Sequence, residues 1–110
     1  MAVEAKRVNG KGPSLAGDYV RKGVLRFVNG KYGSGHDYGI VIAYVAVPPV
    51  SNAVDKVRVT MNKLKPLTNQ LSEFVAATEL CKHPFTHKSK HSQQGSPIPI
   101  TLVHLFIDFS

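Results

Sequence analysis

Tryptophan is absent, cysteine occurs once and acidic side chains number only seven in 110 residues. Each shortage closes a class of explanation. With Cys81 alone, no disulfide forms within the chain, which excludes a disulfide-stapled secreted scaffold and leads us to expect the cytoplasm or another reducing intracellular compartment. Residues 1–18 lack the apolar run of a secretory signal. The longest apolar stretches, 40–50 and 97–109, fall short of the roughly 20 residues a spanning helix needs, so a membrane is not an expected partner. Repeats, heptads and low-complexity tracts are also missing, which argues against solenoids and coiled coils. Among the glycines, Gly33, Gly35 and Gly39 have neither the spacing of a dinucleotide fingerprint nor the Gly-Lys-Ser/Thr of a phosphate loop.

Positive charge is abundant. Fourteen Lys and Arg give a formal charge of +7 and a pI near 9.8, a field that attracts polyanions. An apolar content of 43% and a charged content of 19% are those of an ordinary globular protein, and the length suffices for one core. Residues 1–18, rich in glycine and carrying Lys6, Arg7 and Lys11, read as a flexible basic arm, and 19–110 as a single globular domain.

The stretch from Tyr19 to Val47 reads as a β-hairpin, because β-branched and aromatic runs flank Asn29-Gly30 and the glycines that follow. Alternation over 19–28 places Lys22 and Arg26 on one strand face. The turn brings Lys31, Tyr32 and Tyr38 close to flexible backbone, where bases stack and phosphates bind. Tyr38 to Val47 is nearly continuous apolar, fitting a central strand that Pro48-Pro49 ends. Residues 54–61 alternate as a third strand with Lys56 and Arg58 outward. A helical period over 68–82 predicts one helix, stopped by Pro84, and 83–97 reads as a polar, basic loop. Ile98 to Phe109 alternates two apolar sets, as a buried closing strand does, with His104 expected as a satisfied core histidine.

Gly23-Val24-Leu25-Arg26-Phe27-Val28-Asn29 followed by Gly33-Ser34-Gly35 resembles the first RNA-binding motif of cold-shock domains: a glycine, alternating apolar and basic positions, an aromatic, Asn and a Gly-x-Gly turn. Val28 stands where that family has a second aromatic, Ser34 where it has one between the turn glycines, and its following Phe-Val-His strand is absent. What the resemblance implies is RNA binding by this stretch.

Cys81, His83, His87 and His91 offer metal ligands at close spacing, with His87 and His91 placed like a zinc-finger histidine pair. The cysteine pair that opens such a site is missing, and whether these four bind a metal is left open. No set of residues has the nucleophile–base–orienter spacing of a catalyst, so neither catalysis nor a cofactor is expected.

The expected fold is α+β: a strand-rich single domain with an antiparallel sheet of about four strands and one helix packed on it. The expected function is non-enzymatic binding of RNA or single-stranded DNA by a basic sheet face (Lys22, Arg26, Lys56, Arg58) and an aromatic hairpin tip (Lys31, Tyr32, Tyr38). A self-assembling subunit, such as a small viral coat or accessory protein, or a basic subunit of a ribonucleoprotein is the alternative, and a homo-oligomer fits either.

Overall fold

Apolar or small side chains recur at Ala16, Tyr19, Val20, Gly23, Val24, Phe27 and Val28, and again at Val50, Ala53, Val54, Val57 and Met61. That spacing of three and four is the stripe of a helix lying on a core. The computed structural model, which describes residues 2–30, 37–80 and 82–110, has helices at both places. The first is a rod over 16–28, built of α1 (Ala16–Asp18), a π-helical stretch Tyr19–Val24 and α2 (Leu25–Val28). The second is α3 (Val50–Lys63), followed by the single turn α4 (Lys65–Thr68).

The strands are β1 (Val3–Asn9), β2 (Tyr38–Val47), β3 (Gln70–Ala76), β4 (Thr86–His91) and β5 (Ile100–Asp108). They form one mixed sheet in the order β1-β2-β5-β4-β3. The β1–β2 and β2–β5 pairs are parallel, and β5–β4 and β4–β3 antiparallel. The fold is therefore a single α+β domain, and the expected antiparallel sheet of about four strands with one helix is corrected in its details. Tyr19–Val28 is helical, so the expected hairpin is instead a parallel crossover from β1 through the rod to β2. The expected strand over 54–61 lies inside α3. The expected helix over 68–82 gives way to β3, because Asn69 at φ 50° ends α4 and reverses the chain. Within the stretch read as a loop, Thr86–His91 forms β4. Residues 3–9, within the stretch read as an arm, form β1. Tyr38–Val47 and the closing strand lie where the sequence puts them, side by side at the sheet centre.

Both long helical segments pack on one face of the sheet. Val41, Ala43 and Val45 of β2 and Leu102 and Phe106 of β5 point into this layer with the helical stripes, and all are fully buried. The opposite face carries the alternate residues. Strand register places Val3, Ile40 and Val103 in one row, Ala5, Ile42 and Leu105 in the next, and Arg7, Tyr44 and Ile107 in a third. No helix covers that outer face among the described residues.

Candidate nucleic-acid interface

The exposed side of the helix layer is basic because the buried stripes leave Arg21, Lys22 and Arg26 on the rod and Arg58 and Lys63 on α3 facing water, with Lys56 half-buried. Several of these cations are already paired. Lys22 Nζ lies 3.7 Å from Asp18, Arg26 3.8 Å from Glu4, and Arg58 2.6 Å from Asp55. Arg58 also stands over the Phe74 ring at 5.9 Å. Arg21, Lys56 and Lys63 have no acidic partner among the described residues. Two grooves flank α3. One, of about 370 Å³, lies between its Lys56, Val59 and Thr60 and the loop at Gly12 and Ser14. The other, of about 320 Å³, lies between Arg58, Asn62 and Lys63 and the β3 residues Gln70, Glu73 and Phe74.

The four cations expected on a sheet face thus share the helix layer: Lys22 and Arg26 on the rod, Lys56 and Arg58 on α3. Tyr38 does not join them. It starts β2 on the outer face, with the sheet between it and the helices. Lys31 and Tyr32 lie outside the described residues. The exposed aromatics Tyr38, Tyr44 and Phe109 all belong to the outer face or to the end of the strand beneath it. Arg21 and Lys63 were not singled out by sequence; the helical period that buries Val20 and Val24 is the signal that turns them outward.

Among the described residues, a linked set of titratable groups is internal. His104 Nδ1 lies 2.6 Å from the Tyr19 hydroxyl and its Nε2 2.7 Å from Ser89 Oγ. His91 Nε2 lies 2.8 Å from the same Oγ, and its Nδ1 2.8 Å from the Thr68 carbonyl. One set of neutral tautomers satisfies every contact. A carbonyl only accepts, so His91 Nδ1–H donates to Thr68, His91 Nε2 accepts from the Ser89 hydroxyl, His104 Nε2–H donates to Ser89, and Tyr19 donates to His104 Nδ1. Burial lowers His91 to about 4 and pushes His104 well below its ordinary range, with help from the neighbouring His91 and His87. It raises Tyr19 well above 10. His87, stacked on Phe74 at 5.0 Å, is lowered chiefly by burial too.

A serine hydroxyl donating to an oriented histidine is the geometry of an activated nucleophile. Here Tyr19, Ser89, His91 and His104 are each 0% exposed, so no substrate reaches the hydroxyl and the chain of bonds is part of the core. His104 is the satisfied core histidine expected. Of the four residues considered for metal, His91 uses both ring nitrogens within the core, His83 Nδ1 accepts from the Phe85 amide, and Cys81 is outside the described residues. No group of three or more ligand-type residues is gathered among the described residues. Replacing Tyr19 by Phe should strand His104 Nδ1 without a donor and lower stability by about 1–3 kcal/mol, read from urea unfolding.

Comparison with protein-family models, with curated proteins and with solved structures yields no match. Of the residues that carry the cold-shock resemblance, 23–28 are helical and present no strand surface of that kind, Asn29 follows as the C-cap, and Gly33-Ser34-Gly35 lie outside the described residues.

Proposed function

We propose that the protein is a non-enzymatic nucleic-acid-binding module that holds RNA or single-stranded DNA by its phosphates across the solvent side of the helix layer. The observation that carries this reading is the collection of Arg21, Lys22, Arg26, Lys56, Arg58 and Lys63 on two helical segments packed on one side of the sheet. Flexible cations flanking shallow grooves suit a phosphate backbone. With the exposed aromatics of the described residues elsewhere, phosphate contacts carry the binding, which is expected to be steeply dependent on salt.

Lys22, Arg26 and Arg58 contribute less per residue, since Asp18, Glu4 and Asp55 compete with phosphate for them. The combined variant Arg21→Ala, Lys56→Ala, Lys63→Ala should therefore weaken binding of a single-stranded RNA about tenfold and flatten the log–log salt slope by about 2. Lys90→Ala, on the outer sheet face, is the control and should change neither. Fluorescence anisotropy titrations at several salt concentrations measure both. Unchanged affinity and slope in a folded triple variant would sink the proposal.

A further inference from the structure

We infer that the uncovered face of the sheet is the interface of a two-fold dimer, in which a second copy of this chain packs its own sheet face to face against the first. Along the centre of this face run Ile40, Ile42 and Tyr44 of β2 and Val103, Leu105 and Ile107 of β5. A concavity of about 630 Å³ lies over it, lined by Ala5, Ile42, Tyr44, Ala46, Ile107 and Phe109 without one charged side chain. Among the described residues, charge on this face is confined to the margins: Arg7 on edge strand β1, and Lys88 and Lys90 on β4, of which Lys88 is held by Glu79 at 3.1 Å. An apolar centre with a charged rim is the anatomy of a protein interface.

Area and charge both point to a second copy. Four strands about 4.8 Å apart and about seven residues long project to about 440 Å² per chain, before side-chain relief is counted. Two copies together give about 880 Å² of projected area, and side-chain relief adds the remainder of the total of about 1,000 Å² that a specific interface needs. Sheets stack about 10 Å apart, and each helix layer adds a similar distance, so the basic helix surfaces of the pair lie about 30 Å from one another. That separation exceeds the Debye length of about 8 Å at physiological salt, so the cations of the two helix layers do not oppose pairing. The exposed Phe109, 67% accessible although it meets the Tyr44 ring edge-on at 6.1 Å, gains cover only from a partner.

Analytical ultracentrifugation of the full chain in high salt, which removes bound nucleic acid, tests this independently of the proposed function. The expected species is a dimer of about 24 kDa, twice the 12.0 kDa of one chain. Ile42→Lys should convert it to monomer. Phe109→Lys, beyond the last strand residue and harmless to folding, should weaken the dimer at least tenfold. Val59→Lys, the same change at an exposed apolar residue of the helix layer, should leave it intact. Circular dichroism confirms that each variant is folded. A wild-type monomer at 100 µM, a dimer indifferent to Phe109→Lys and Ile42→Lys, or a larger particle would overturn the inference. So would a monomer that binds neutral phosphatidylcholine vesicles, which would give the face to lipid.

Discussion

Between pH 6.5 and 4 the protein should lose about 3 kcal/mol of stability through His91 alone. In the unfolded chain this imidazole titrates near its ordinary 6.5, whereas burial in the fold lowers it to about 4. In that window the unfolded state binds a proton that the folded state refuses, so stability rises with pH across it. The contribution is fully present above pH 6.5, declines as the pH falls, and is gone below the folded value. About 2.5 pH units at 1.36 kcal/mol each give the estimate. His87 and His104 are lowered as well and act with the same sign. Urea midpoints at pH 7, 5.5 and 4.5 measure the effect, and a midpoint independent of pH would contradict it. His91→Gln retains a donor for the Thr68 carbonyl and an acceptor for Ser89, and should flatten the pH profile more than it lowers stability at pH 7.

Gly39→Ala should lower the melting temperature by about 10 °C, corresponding to about 2 kcal/mol for a chain of this size. Gly39 begins the inward-facing row of β2, and a methyl group there would stand 2.5 and 2.7 Å from two carbons of the Phe27 ring and 3.0 Å from Leu102 Cδ2. Phe27 is itself 3% exposed and sits on the last turn of the rod, so it has no free volume to enter. The entropy that alanine removes from the unfolded chain, about 0.4–1 kcal/mol, offsets only part of this. Adding Phe27→Leu to Gly39→Ala should recover part of the loss, a sign of direct contact between the two sites. Calorimetry of the two single variants and the double variant tests it; additive losses would mean that the ring is not the obstacle.

Parts of this architecture were legible in the sequence and parts were masked by composition. Tyr38–Val47 is apolar on both faces because the helix layer covers one and β2 lies at the centre of an aliphatic outer surface on the other. Ile100–Asp108 alternates cleanly because its inward set includes Leu102, His104 and Phe106. The helices were obscured by their valines: Val20, Val24 and Val28, then Val50, Val54, Val57 and Val59, favour strands by local preference, and burial of a helical stripe outweighs it. Mixed polarity on both faces of a supposed 19–28 strand was the warning, since Arg21, Lys22 and Arg26 fit one side of a helix and no single side of a strand. Over 68–82 the error ran the other way. Leu71, Phe74, Val75 and Thr78 are spaced like a helical stripe, yet Leu71 and Val75 are exposed, and Phe74 supplies most of the contact with the core. The basic surface of the helix layer was half visible as charge, while its position followed from topology. The hydrogen-bonded chain from Tyr19 to Thr68 was not visible at all, because it joins four segments that only the sheet order brings together.

The sheet order also shapes how the chain reaches this state. β2 and β5 are neighbours at the centre, although Tyr38 and Thr101 are separated by most of the sequence. Until 100–108 inserts, β1–β2 and β3–β4 are two fragments, each presenting an open edge toward the gap between them. Closing that long loop costs chain entropy before any central contact repays it, which makes insertion of the last strand the natural slow step and the partly assembled fragments the species most exposed to aberrant pairing. Ribosomal synthesis prolongs that interval, since β5 leaves the exit tunnel after every other strand.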